Sequence, residues 1–172
     1  WFVVDECHHD KVDGDGELWY GYNSSWRKIA STTSAGAFHA INPVRAYDSR
    51  RAQPSQGIMA NNGVRTVSLA NSRNLTTGAI LVADVVPAGA TAVAANVTVT
   101  NTVNANYISI NPGGNLVRGP STINWSSSGQ TIANGVILKL GTGILYSRQV
   151  TLLTGGQGGS ADVFIDITGY WL

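Results

Sequence analysis

Val93, Ala95, Val97 and Val99 alternate with Ala94, Asn96, Thr98 and Thr100, a period of two with one apolar face. Successive side chains of a strand point to opposite faces, so this pattern demands a sheet with one side against a core. Arg65–Leu69, Tyr107–Ile110, Val136–Leu140, Gln149–Leu153 and Asp162–Ile167 repeat the strand-like signature. Turn formers separate them: Pro87-Ala88-Gly89, Asn111-Pro112-Gly113-Gly114, Gly141-Thr142-Gly143 and Gly155-Gly156-Gln157-Gly158-Gly159. No window carries a capped 3.6-residue stripe; a short helix over Gln130–Gly135 is the one alternative. Many strands in short succession predict an all-β fold, an antiparallel β-sandwich of jelly-roll-like form.

The chain has 172 residues, enough to bury a sizeable core. Only 12% are charged, against about 25% in typical soluble domains, and the net charge is +1. A nucleic-acid binder needs a basic face to displace counterions, so that partner is not expected. No apolar run approaches the ~20 residues of a spanning helix, so membrane insertion is not expected either. The single cysteine, Cys7, excludes an intrachain disulfide framework. Because the sequence opens on Trp1 with no initiator Met, it is read as a mature product or a piece of something longer.

Composition changes near residue 34. The head holds Trp1, Trp19 and Trp26, the adjacent His8 and His9, and an acidic run. The small residues of Ser31–Ala37 read as a linker. The predicted organisation is a hairpin or stalk-junction segment over 1–34 and a sandwich over 35–172.

Four blocks of the larger part resemble a β domain found in surface proteins of actinobacteria and their phages. They are Pro43-Val44-Arg45-Ala46-Tyr47-Asp48-Ser49-Arg50, Val86–Thr98, Ser121–Trp125 with Ala133-Asn134, and Asp162–Tyr170. In the head, Gly16-Glu17-Leu18-Trp19 through Trp26-Arg27-Lys28-Ile29-Ala30 resembles a hairpin that precedes the tips of trimeric phage tail fibres. Here Asn23-Ser24-Ser25 replaces the more usual glycine-containing turn. The resemblance implies a domain type and a setting, a virion surface, but no activity.

Asp10, Asp13, Asp15 and Glu17 gather hard oxygen ligands around two glycines, as Ca²⁺ requires. Their spacing departs from the EF-hand loop and favours a solvated turn, so no cofactor other than this candidate Ca²⁺ is expected. Cys7, His8 and His9 are competent Zn²⁺ ligands, yet adjacent histidines on a strand face opposite ways. Arg45, Asp48 and Arg50 form a compact charged group in a nearly uncharged domain, and Asp166 needs a partner in its apolar strand. The expected arrangement is a structural ion-pair cluster of these four, with recognition of a carboxylate or sugar as the alternative. Trp125, Tyr107, Tyr146, Tyr170 and Trp171 offer faces for sugar stacking, or else close the core or a subunit interface.

Catalysis is not expected. His39 is the only histidine after residue 34, no GxSxG elbow occurs, and that part contains no Glu. Asp162 and Asp166 share a strand face but lie about 13 Å apart at strand rise, beyond the range of paired glycosidase carboxylates. The sequence-based expectation is a non-catalytic phage virion protein, a tail fibre or related surface appendage. It would be a homotrimer that contacts other virion proteins and a host glycan or envelope by multivalent attachment. The alternative is a carbohydrate- or cell-wall-binding module of a secreted bacterial protein.

Overall fold

The computed structural model describes residues 11–12, 18–22, 25–30 and 36–172. The chain divides into two units, Trp1–Gly36 and Ala37–Leu172. In the first, β1 (Lys11–Val12), β2 (Leu18–Tyr22) and β3 (Ser25–Ala30) form an antiparallel sheet in that order. Strands β2 and β3 make the hairpin the sequence predicts, with Gly21 opposite Trp26. A Cβ on Gly21 would sit 3.2 Å from the Trp26 ring, so the glycine lets that ring lie across the strand. The turn residues Asn23 and Ser24, the Ser31–Ala35 part of the linker, the acidic positions Asp10, Asp13, Asp15 and Glu17, and Cys7, His8 and His9 lie outside the described residues.

The second unit opens with β4 (Phe38–Asp48), β5 (Val64–Ser68), β6 (Ser72–Arg73) and β7 (Ile80–Val82). It continues with β8 (Ala92–Val103), β9 (Asn106–Pro112), β10 (Ile123–Trp125) and β11 (Ile132–Lys139). A single helical turn, α1 (Gly143–Tyr146), leads to β12 (Gln149–Thr154) and β13 (Ser160–Trp171). Two four-stranded antiparallel sheets result, β11-β8-β13-β4 and β10-β9-β12-β5, with β6 and β7 as a separate ribbon. Setting that ribbon aside, the first strand pairs the last, the second pairs the next to last, and so on inward. That order is consistent with the jelly-roll-like wrapping expected from the sequence.

The expected alternation is met on the two central strands of the first sheet. Val93, Ala95, Val97 and Val99 of β8 and Ala161, Val163, Ile165 and Ile167 of β13 all point into one core. Ile108, Ile123, Trp125, Val150 and Leu152 reach it from the second sheet. Each fully buried aliphatic side chain contributes about 1.5–3 kcal/mol of transfer free energy, an upper bound against a compact unfolded chain. On β12 the outward Thr151 is also buried, and its hydroxyl is satisfied by Thr66 at 2.9 Å and the Gly114 amide at 2.9 Å.

The helix proposed over Gln130–Gly135 is not formed. Those residues run into β11, which pairs with β8 from Ile132 opposite Val99 to Lys139 opposite Ala92. A ladder of that length outweighs weak local preference. The helical turn falls instead at Gly143–Tyr146, where four residues are too few to leave a periodic trace.

Candidate functional site

The charged corner is built where β4 meets β13. Register places Arg45 opposite Asp166 and Asp48 opposite Phe164, so the outward side chains of both strands converge. Arg45 donates to both oxygens of Asp166, from Nε at 2.5 Å and from Nη2 at 3.1 Å. Its remaining nitrogen, Nη1, donates to Asp48 Oδ2 at 2.7 Å. Arg50 holds Asp48 in a second fork, Nε to Oδ1 at 2.8 Å and Nη2 to Oδ2 at 2.7 Å, and adds its backbone amide at 3.0 Å. All four residues read from the sequence as one cluster are brought together.

Phe164 lies beneath them. The guanidinium carbons of Arg45 and Arg50 stand 4.1 and 4.6 Å from its ring centroid, so the aromatic face supports both cations. Next along the face, Asp162 accepts from the Ser49 hydroxyl at 2.8 Å and from the Asn101 amide at 2.9 Å. Burial pushes the Asp48 carboxyl up, but the Arg50 hydrogen bonds and the charges of Arg50 and Arg45 outweigh it and hold the group below its ordinary value. The same Asp48 contact raises Arg50. Such an arrangement is good at keeping charges fixed and poor at moving protons, because each carboxylate is committed to its donors.

The aromatic candidates scatter. Trp125 is 3% exposed and closes the core, which removes it from any ligand platform. Tyr107 is half-buried on β9, on the other sheet from Tyr170 and Trp171 of β13. Tyr170 stacks on His39 with ring centroids 5.2 Å apart, and Trp171 packs on Phe38 at 4.7 Å. Those two pairs tie the end of β13 to the start of β4.

Tyr146 is different. With Gly113, Gly114 and Gly141 it lines an open groove of about 390 Å³, with Asn115 and Lys139 at its sides. A Cβ on Gly114 (φ +82°) would lie 2.6–2.8 Å from three Tyr146 ring atoms. Glycine is needed there twice, for the left-handed backbone and for the ring seated over it. Next in the chain to the groove's lining residues Asn115 and Tyr146, Leu116, Val117, Ile144 and Leu145 are exposed at 61, 72, 102 and 74%. These four are exposed apolar side chains of the loop end, and Leu75, Ile80, Leu81 and Val82 form a second such group at the β6–β7 ribbon.

Comparison with protein-family models, with curated proteins and with solved structures finds no match. The chemistry of the chain therefore rests on its own residues. Sequence reasoning found the four-residue ion cluster but missed Phe164, whose role depends on a cross-strand neighbour more than a hundred residues away. It also missed the loop-end groove, because the walls are glycine backbone from two distant loops. Only the pair of Gly-rich turns flanking the β9 and β11 strands hinted at it.

Proposed function

We propose that the chain is a non-catalytic attachment module of a phage virion, a tail fibre or similar surface appendage. Residues 37–172 are the displayed sandwich, and the loop end around Tyr146 meets the host envelope. The observation that carries this reading is the pairing of an uncovered apolar loop end with carboxylates committed to structural donors. Tyr146 gives a sugar ring an apolar face to stack on, and Ile144 and Leu145 add contact area beside it. A homotrimer multiplies a weak site threefold, so avidity rather than tight single-site affinity does the work.

The test measures binding of the purified chain to envelope preparations from actinobacteria, together with its mass in solution. The expected result is a trimer whose retention falls at least about tenfold in Tyr146→Ala, a loss of about 1.4 kcal/mol or more. Retention unchanged in that variant contradicts the assigned site. A stable monomer favours the second reading, a cell-wall-binding module of a secreted bacterial protein, which the sugar-sized groove would serve equally well.

A further inference from the structure

Arg73 of β6 is 8% exposed and makes no ion pair among the described residues. Its one hydrogen bond there is long, from Nη1 to the Gly78 carbonyl at 3.3 Å, and its buried Nε has no acceptor. Most other arginines of this unit are better served. Arg45, Arg50 and Arg148 have carboxylates, and Arg65 donates to the Tyr47 hydroxyl at 2.7 Å and the Gly57 carbonyl at 2.6 Å. Arg118 donates to two carbonyls at 3.2 and 3.0 Å. The exception besides Arg73 is Arg51, whose buried Nε also lacks an acceptor and stands 3.9 Å from an Asp48 oxygen already shared by Arg45 and Arg50.

Gly78 lies between the Arg73 head and the Arg51 stem, while the Arg51 head stands at Asp48. Arg73 donates to the Gly78 carbonyl, and a Cβ on this glycine (φ +77°) would lie 2.8 Å from Arg51 Cβ and 2.6 Å from the Gln53 carbonyl. Burial holds the Arg73 pKa below its ordinary value, with no acid among the described residues close enough to offset it. Residues 37–172 carry eight Lys and Arg against four Asp, so the unit has no spare carboxylate to supply. A guanidinium taken out of water without a counter-charge is strongly unfavourable, and its planar fork matches an oxyanion.

We propose that Arg73, beside Gly78, forms a binding site for an oxyanion, a phosphate or carboxylate group of a ligand. This goes beyond the attachment reading and does not depend on it.

The decisive measurement follows the arginine Nε–Hε resonances of the full chain by ¹⁵N–¹H NMR. Inorganic phosphate and sodium acetate are titrated separately, each with chloride holding ionic strength constant. The Arg73 resonance is expected to move saturably, while Arg148, paired with Asp84, stays in place. Movement with phosphate alone assigns a phosphoryl group, and movement with acetate alone a carboxylate. Thermal melts give an independent readout. In chloride, Arg73→Met should melt at or above the wild type, since a lone buried charge has gone. Phosphate should then raise the wild type by several degrees more than the variant. An Arg73 resonance unmoved by either anion overturns the proposal, as does an equal phosphate effect on both proteins, which is surface exclusion only. Should the variant fail to fold, the wild-type titration decides alone.

Discussion

The corner at β4–β13 and the loop end at β9–β12 are built on opposite principles within one sandwich. At the corner, Asp48 is 3% exposed and receives donors from two arginines, while Phe164 carries the guanidinium faces. At the loop end, Ile144 and Leu145 face solvent and nothing among the described residues covers them. The first region has spent its polar capacity on itself. The second has apolar surface left to use. A group is available for a partner only when the fold has not already satisfied it, and exposure and pairing together say which region that is.

The contrast breaks most visibly at Asp48. Asp48→Asn removes the carboxylate of Arg50, whose side chain is a third exposed, and one of the two that Arg45 holds. The loss should be about 1.5–3 kcal/mol, short of a fully stranded buried cation. Urea unfolding should show a midpoint lowered by that loss divided by the slope, with the slope itself unchanged. A loss below about 1 kcal/mol, as for exposed ion pairs, would place the corner among ordinary surface contacts.

A smaller effect comes from acid. The folded chain holds the Asp48 carboxyl below its ordinary 3.8, so the unfolded chain binds this proton more readily. The resulting stabilisation is complete above the unfolded value and drains as pH falls through the lower folded one. Unfolding free energy measured between about pH 5 and about pH 2 should therefore fall more steeply for the wild type than for Asp48→Asn. Parallel slopes would mean that the corner does not set the acid response.

The smallest change in stability belongs to the loop end. Ile144→Ser with Leu145→Ser should alter unfolding free energy by no more than about 0.5 kcal/mol per site, because neither side chain leaves water on folding. A loss of several kcal/mol would show that these residues are structural and not free for a partner.

How much of this was legible in the sequence depends on where each signal sits. Strands β8 and β13 are central, with one face on the core, so their alternation survives in the residues themselves. Strand β4 gave no such pattern because Asn42-Pro43 interrupts it. It tolerates proline as the edge strand of its sheet, and a register shift between Ile167 and Gly169 of β13 absorbs the irregularity. Strand β7 is exposed along its whole length and β10 spans three residues, so neither has a period to read. The ion cluster was legible because four charges stand out in a domain with few. Trp125 was ambiguous, since an aromatic side chain serves a core as readily as a sugar. The Arg73 corner was invisible, because what distinguishes it is a partner missing among the described residues.

Hydrogen exchange of the full chain, with and without actinobacterial envelope, tests this division of labour most directly. Binding at the loop end predicts new protection in peptides covering 112–117 and 139–149, with none added over 44–50 and 162–167. Protection gained over the ion-pair corner, while the loop end exchanges as before, would contradict it.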